Sequence, residues 1–461
     1  MKTSNKLVLS AAMAAIIPAA SFADGTPEVS DVTMSQTSRN VVTITYRLSN
    51  GPAVVTLDIE TNCVVNGETC WASIGGENIQ NFKPNSDVFK KVGGKETYTI
   101  KWLPDLSWAD HRIPEGGARA VVTAWALDNT PDYMVVDISE GAQPDTQQYY
   151  CSTNFLPGGL FGNDDYRTSK IVMRKIMAKN VKWTMGSINE DGRTAAREAS
   201  HTVQLTNNYY IGVFELTQSQ YTLARAASST AKPSPSFRRE EYRAMRPMEQ
   251  ISYNEIRAAG VADQAYSTSS CWPAEPGDDS LLKLLRNKTN IDFDLPTEAQ
   301  WEFACRAGNG EGKWGNGAAY QNKTTDSNLP GRYKGNCEAA PASGQEPNAD
   351  TSCGTAIVGS YAQNDWGLYD MHGNVYEWCL DWFANDVSTL SREDGVCISP
   401  VNVNLENPAT PAIGSSNERI MRGGTYSLDA QYCRSAFRNS YRPHTRYQFL
   451  GVRLACRAGL K

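Results

Sequence analysis

The sequence predicts two structural parts in series, an all-β sandwich and then a larger, irregular α+β domain. Three observations carry that prediction. Apolar and polar residues alternate with period two in short runs between Val42 and Ile138. Helix-start signals appear only later, separated by long stretches rich in Gly, Asn and Trp. Between the two lies a run rich in Pro, Gly, Asn and Asp. The expected organisation is therefore a leader (residues 1–23), a sandwich (24–142), a linker (143–168) and a C-terminal domain (169–461).

The leader is read from its composition. Lys2 and Lys6 precede an apolar, Ala-rich run from Leu7 to Ala20, and Ser21-Phe22-Ala23 supplies small residues at a cleavage position. That is the pattern of a secretory signal. The run is shorter than the roughly 20 residues a membrane span needs, and no later segment is apolar enough to cross a bilayer. An exported chain is expected, reaching the periplasm, the cell surface or the medium, with no transmembrane segment after signal removal. Its formal charge of −6 would fall by two, to −8, with loss of the two lysines. An acidic balance argues against a nucleic-acid partner, because phosphate recognition needs a basic face. Eleven cysteines against four histidines suit an oxidising compartment and disfavour His-rich metal chemistry.

In the sandwich, Val42, Ile44, Tyr46 and Leu48 alternate with polar residues, as do Val55, Leu57 and Ile59, and Asn50-Gly51 lies between the two runs. Two such runs around Asn-Gly read as a hairpin. Tyr98–Trp102, Ala120–Trp125 and Met134–Ile138 are further strands. The expected type is immunoglobulin-like or fibronectin-like, acting as a spacer. Cys63 and Cys70 flank Asn66-Gly67 and are expected to form a local disulfide.

In the C-terminal domain, Thr217-x-x-Gln220, Ser252-x-x-Glu255 and Thr297-x-x-Gln300 each have the form of a capping box, in which hydroxyl and N3 side chain satisfy orphan amides reciprocally. H-E-x-x-H, C-x-x-C, G-x-S-x-G and EF-hand patterns are absent. The stretch from Gly308 to Trp314 imitates a phosphate-binding loop but is one residue short, with Trp314 where a metal-binding hydroxyl belongs.

A series of words then follows in order: Tyr210-Ile-Gly-Val-Phe-Glu-Leu-Thr217, Arg246-Pro-Met-Glu-Gln-Ile-Ser-Tyr-Asn254, Leu295-Pro-Thr-Glu-Ala-Gln-Trp-Glu-Phe-Ala-Cys-Arg306, Trp366-Gly-Leu-Tyr-Asp-Met-His-Gly-Asn-Val-Tyr-Glu-Trp378, Arg422-Gly-Gly-Thr-Tyr426, Cys433-Arg-Ser-Ala-Phe-Arg438 and Gly451-Val-Arg453. From about residue 171 to residue 456 this resembles the formylglycine-generating enzyme, or sulfatase-modifying-factor, family. The resemblance implies a C-type-lectin-like fold and structural calcium. In active members it also implies copper-dependent oxidation of a substrate cysteine to formylglycine.

The copper site implied by the resemblance needs two thiolates, which suit soft Cu(I). Matching Gly423-Gly424-Thr425-Tyr426 to the family segment puts the second ligand at Cys433 and the first at Leu428, which has no lone pair. Thr425 replaces a family serine, Asp429 a histidine and Tyr376 a tryptophan. Thr425, Tyr432 and Cys433 are thus the candidate catalytic residues of an oxidase lacking half its copper site. Cys433 has a structural alternative, a disulfide with Cys379. Cys337 with Cys353 and Cys305 with Cys456 are further expected pairs, and the odd total leaves at least one cysteine unpaired or bridging two chains.

For calcium, the resemblance implies Asp370, Gly373, Val375 and Glu377 as ligands, and hard oxygen donors in a Gly-containing loop suit that ion. A second family ion would fall on Asn328 and Asp350. The segment from Ser427 to Leu450 is crowded with Tyr, Arg and other large polar or aromatic side chains, the residue types of binding hot spots. Tyr376, Ser427, Leu428, Asp429, Phe437, Tyr441, Arg442, His444, Tyr447 and Phe449 are the expected ligand-binding residues. The segment also resembles the stretch that certain bacterial and phage proteins of this fold diversify. Three functions follow: a lectin-fold module binding carbohydrate, peptide or protein; a formylglycine-generating or related oxidase; and a surface-display or structural protein.

Overall fold

In a computed structural model, the described residues are 25–38, 40–225, 240–257, 276–338, 353–387, 396–398 and 415–459. The N-terminal part holds β1 (Glu28–Ser38), β2 (Val41–Ser49), β3 (Ala53–Val65), β4 (Glu68–Ser73), β5 (Lys90–Val92), β6 (Thr97–Trp102) and β7 (Ala118–Trp125). They form two antiparallel sheets. One is ordered β1-β2-β6; in the other, β3 pairs with β4, β5 and β7. Inward positions of both sheets, among them Ile44, Tyr46, Leu57, Ile59, Tyr98 and Ile100, are buried in one cluster, as the period-two pattern requires.

The expected Asn50-Gly51 hairpin does not form. β2 pairs with β1 and β6, whereas β3 belongs to the other sheet, so the turn crosses between layers. Alternation shows only that one face of each strand packs on an apolar layer; it does not say which strand completes the backbone ladder, and here β2 and β3 take partners in different sheets.

The remaining strands are β8 (Tyr133–Asp137), β9 (Gln148–Tyr150), β10 (Lys170–Ile176), β11 (Lys182–Met185), β12 (His201–Gln204), β13 (Tyr209–Gly212), β14 (Tyr376–Ala384), β15 (Val396–Ile398), β16 (Ser415–Arg422), β17 (Asn439–Tyr441), β18 (Leu450–Gly451) and β19 (Ala455–Arg457). The helices are short: α1 (Asp165–Thr168), α2 (Gln218–Ala224), α3 (Glu240–Arg243), α4 (Tyr253–Ile256), α5 (Leu281–Thr289) and α6 (Glu298–Arg306). Three sheets result, ordered β19-β13-β10-β8-β9, β11-β12-β15 and β17-β16-β14-β18. All three capping boxes are formed, with hydroxyl and N3 side chain both bonded, at α2, α4 and α6.

The boundary between the parts differs from expectation. Met134–Ile138, assigned to the sandwich, supplies β8, which pairs with β10 in the five-stranded sheet. The expected linker contributes β9, on the edge of that sheet, and α1. Tyr149 donates its backbone N–H to the Phe89 carbonyl at 2.8 Å, and the rings of Phe89 and Tyr150 stack at 4.9 Å. Val54 of β3 is buried with Met134, Met173 and Leu454, while Val213, Phe214 and Tyr369 join the sandwich cluster. The two parts share two apolar clusters, each with members from both, so residues 143–168 do not work as a linker.

Disulfides join Cys63 to Cys70, across the β3–β4 turn, and Cys337 to Cys353. The other expected pairs are absent. Cys305, Cys379, Cys433 and Cys456 are free, buried thiols. Cys379 faces the core around Trp301 and Ile420, whereas Cys433 packs with Trp314, Leu329 and Tyr333, so the two lie in separate clusters. Cys456, on β19, is in the cluster with Val452 and Leu454, away from Cys305 on α6. Among the described residues no helix is long and apolar enough to cross a membrane.

Candidate functional site

The loop expected to hold calcium runs from Asn364 to the start of β14 at Tyr376. Asn364 braces it, its Oδ1 accepting from the N–H groups of Trp366 and Leu368 at 3.0 Å. Gly373 is required here, with φ at 101° and the Arg332 carbonyl 2.0 Å from where a Cβ would stand. Asp370, Gly373, Val375 and Glu377 are all buried, and two further residues complete the cluster. Glu215 accepts from Asn374 Nδ2 at 2.6 Å and from the Val375 N–H at 3.2 Å. Arg453 holds Glu377 through Nη2 at 2.6 Å. Sequence reading passed over Glu215, although a single acid between Phe214 and Leu216 in an apolar run was a legible signal.

Burial, then the charges of Asp370 and Glu377, hold the Glu215 carboxyl well above the usual range. With Glu215 held toward its protonated form, the buried charge available to attract a cation is that of Asp370 and Glu377, set against one guanidinium, Arg453. The donor set is less suited. Glu377 Oε2 also accepts from Trp301 Nε1 at 2.5 Å, and Asp370 Oδ2 accepts from the Gly359 N–H at 2.6 Å. Among the described residues no three His, Cys, Asp or Glu side chains converge as metal ligands. An ion here would lean on the Gly373 and Val375 carbonyls, and Glu377 would have to leave Arg453. Of the second expected ion site, Asn328 donates Nδ2 to the Ala319 carbonyl at 2.9 Å, and Asp350 lies outside the described residues.

The residues of the expected copper site do not fit Cu(I). Cys433 is fully buried, and burial, reinforced by the charge of Asp429, pushes its thiol up to about 12. Leu428, at the other ligand position, is half-buried against the main core. A protonated thiol and a hydrocarbon are not a dithiolate. The Thr425 hydroxyl is buried and serves a turn, accepting the Ser427 N–H at 3.1 Å. Beside Cys433, His372 is neutral, its pKa lowered to about 4 by burial. Its Nε2 accepts the Gly315 N–H at 3.0 Å, which assigns the ring proton to Nδ1 for donation to the Cys433 carbonyl at 2.8 Å. Cys305 Sγ lies 3.6 Å from His372 Nε2, and burial pushes that thiol up to about 12 as well. His372 thus ties the Gly315 and Cys433 segments together through main-chain groups.

The expected binding segment divides by burial. Arg434 and Arg438 are interior: Arg434 pairs with Glu190 and Glu198 at 2.9 and 2.7 Å, and Arg438 with Glu298 at 2.5 Å. Facing outward are Ser427, Arg442, His444 and Tyr447, with Leu428, Asp429, Tyr432, Phe437, Tyr441 and Phe449 half-buried. Their rings group. Tyr432 meets Phe437 edge-on at 5.1 Å; Tyr447 stacks on Phe449 at 5.1 Å; Tyr441 meets Tyr447 at 5.1 Å. Tyr376, on β14, is buried behind them, its ring 6.3 Å from Phe449 and its hydroxyl accepting from Asn439 Nδ2 at 3.2 Å. Asp429 Oδ1 lies 3.5 Å from Lys334 Nζ, a contact the sequence did not foretell.

An irregular α+β domain with this loop and these buried Arg–carboxylate pairs defines the class. Residues 143–458 match the sulfatase-modifying factor enzyme 1-like domain, and the chain belongs to that family. It is 31% identical over 166 residues to the formylglycine-generating enzyme of Thermomonospora curvata, covering 35% of this chain and 48% of that one. It is 35% identical over 173 residues to the enzyme of that name from Streptomyces coelicolor, covering 36% and 47%. The serine/threonine-protein kinase pkn1 of Chlamydia pneumoniae is 33% identical over 161 residues, covering 35% and 20%. The matches thus span half or less of these relatives. Among solved structures, Treponema denticola variable protein 1 aligns with a TM-score of 0.40 and 22% identity, covering 62% of this chain and 95% of that one. PvdO from Pseudomonas aeruginosa aligns with a TM-score of 0.41 and 20% identity, covering 62% and 94%. At these scores the structural likeness carries no functional argument.

Proposed function

We propose that the chain is an exported binding protein whose family domain presents the Tyr432–Phe449 face to a carbohydrate, peptide or protein ligand. The observation that supports it is the outward aromatic wall, with Tyr447 45% exposed and stacked on Phe449, beside a catalytic position whose one thiol is buried. Exposed aromatic area on a fixed backbone binds at low entropic cost. The N-terminal sheets, read as an immunoglobulin-like or fibronectin-like unit, act as a spacer beside the family domain. One calcium ion at Asp370, Gly373, Val375 and Glu377 belongs to the same reading, supported by the oxygen donors that Asp370, Glu377 and the buried Glu215 gather around a Gly-containing loop.

A glycan and peptide array probed with the parent chain and with Tyr447→Ala tests the proposal. Hits lost in the variant support it, and an array blank for both removes it. Mass spectrometry of a Cys-x-Pro-x-Arg peptide after incubation tests the oxidase; conversion to formylglycine would replace the binding reading.

A further inference from the structure

The segment between Tyr441 and Tyr447 is a turn built on touching rings. Tyr441 and Tyr447 stand 5.1 Å apart, and the Thr445 N–H donates to the Arg442 carbonyl at 2.9 Å, so the turn projects from the edge of the aromatic platform. It is pinned from behind. Asn254 donates its N–H to the Pro443 carbonyl at 3.1 Å and Gln250 to the Tyr447 carbonyl at 3.1 Å, both from the segment around α4. A turn held by main-chain bonds at both ends is preorganised, which lowers the ordering cost of binding.

The charges on this turn are unequal. Arg446 is occupied, its Nε 2.8 Å from Glu255. Glu418, close to Tyr441, accepts from the Ser440 hydroxyl at 2.6 Å. Arg442 and His444 are exposed, and among the described residues neither has an ion-pair partner. A guanidinium without an ion-pair partner therefore stands, with an exposed imidazole beside it, at the rim of a stack whose two members lie 23° from parallel. This is a cationic rim on a chain whose formal charge is −6. Flat aromatic faces suit the C–H face of a sugar ring, and an unpaired Arg suits a planar or tetrahedral anion through bidentate bonds.

Resting on the binding-face reading above, we infer that the ligand is an acidic saccharide, its sugar ring stacked on the outer face of Tyr447, which Phe449 backs, and its carboxylate or sulfate held by Arg442 beside His444. The shared chemistry is a pyranose bearing an anion. Uronates and sulfated sugars are its two sources.

The test uses the full chain on immobilised polygalacturonate, dextran sulfate and neutral dextran, at low and high salt, with Arg442→Gln and Tyr447→Ala alongside. Both positions face solvent, and circular dichroism checks that the variants fold. Retention on polygalacturonate, on dextran sulfate or on both, without retention on dextran, is expected. Each variant should weaken it about tenfold or more, as loss of a charge-assisted bond or a stacking face does. Retention that Tyr447→Ala leaves unchanged would be plain ion exchange and overturns the inference. Array ligands lost in Tyr447→Ala but untouched by Arg442→Gln overturn the acidic class while leaving the binding face standing. No retention on either acidic polymer overturns the inference too, and the array then decides the face separately.

Discussion

Arg453 grips Glu377 with Nη2 at 2.6 Å from Oε1 and Nε at 2.9 Å from both carboxylate oxygens, and neither residue is exposed. The same guanidinium reaches the carbonyls of Gly212, Val213 and Tyr369 at 2.9, 3.2 and 2.8 Å. One side chain thus ties β13, the loop before Asp370 and β14 together. Arg453→Leu leaves Glu377 buried without its counter-charge, at an expected cost of about 3–5 kcal/mol in urea denaturation. Arg453→Lys keeps the charge but not the fork and should fall between. A leucine variant as stable as the parent would mean that the pair contributes nothing.

Calcium bears on the same cluster. Added calcium should raise the melting temperature of the parent chain, and Asp370→Ala should abolish the rise, because a ligand held only by the folded state stabilises it. A parent chain indifferent to calcium and to chelator removes the ion from the proposal.

Asp381 predicts a pH effect. It is fully buried, and burial followed by the charge of Glu298 raises its pKa from 3.8 to about 6, against the opposing pull of Arg438 and Arg419. The native state holds this proton more tightly than the unfolded chain. Its ionisation therefore costs nothing below about pH 4, grows between about pH 4 and 6, and is complete above. Asp381→Asn keeps an oxygen for the Glu298 N–H, which Asp381 Oδ2 accepts at 2.6 Å. The variant should gain up to about 3 kcal/mol at pH 7 and nothing at pH 3.5. Equal stability of the two chains at pH 7 would contradict the raised pKa.

The thiols can be counted directly. Alkylation of the folded, unreduced chain should spare Cys305, Cys379, Cys433 and Cys456, and denaturant should expose all four. Peptide mapping should return Cys63 with Cys70 and Cys337 with Cys353. A mapped bridge between Cys379 and Cys433 would refute the arrangement. Reduction should cost stability, on the order of 3 kcal/mol for the 16-residue separation in a chain-entropy view.

The shared core predicts one unfolding transition. Phe89→Ala opens contacts to Tyr150 and Phe155 on the far side of the expected boundary and should cost about 3–5 kcal/mol. The loss should appear in the stability of the whole chain, and a chain beginning at residue 169, without β8 and β9, should fail to fold. Two separate calorimetric transitions would show the parts to be independent.

Local signals were legible wherever the physics is local. The capping boxes at Thr217, Ser252 and Thr297 formed because hydroxyl and N3 partner sit three residues apart, and the Cys63–Cys70 bridge formed across its own turn. Failures came where the partner is remote in sequence. Nothing near Asn50-Gly51 says that β3 will join another sheet, and nothing near Met134 says that it will pair with Met173 instead of a sandwich strand. The Cys379–Cys433 and Cys305–Cys456 pairings failed for the same reason, because thiols meet only if their elements share a core cluster.

What the sequence determined by itself was the family, the β-rich character of the N-terminal part and the absence of a thiol at Leu428, since ordered words and residue types survive without coordinates. The tertiary structure decided the rest. It buried Cys433, turned Arg434 and Arg438 inward onto Glu190, Glu198 and Glu298, and left Arg442, His444 and Tyr447 outside. The physical reason is that burial is a property of the packed chain: identical arginines become an interior strut or a solvent-facing group according to whether a carboxylate from a distant segment is folded against them.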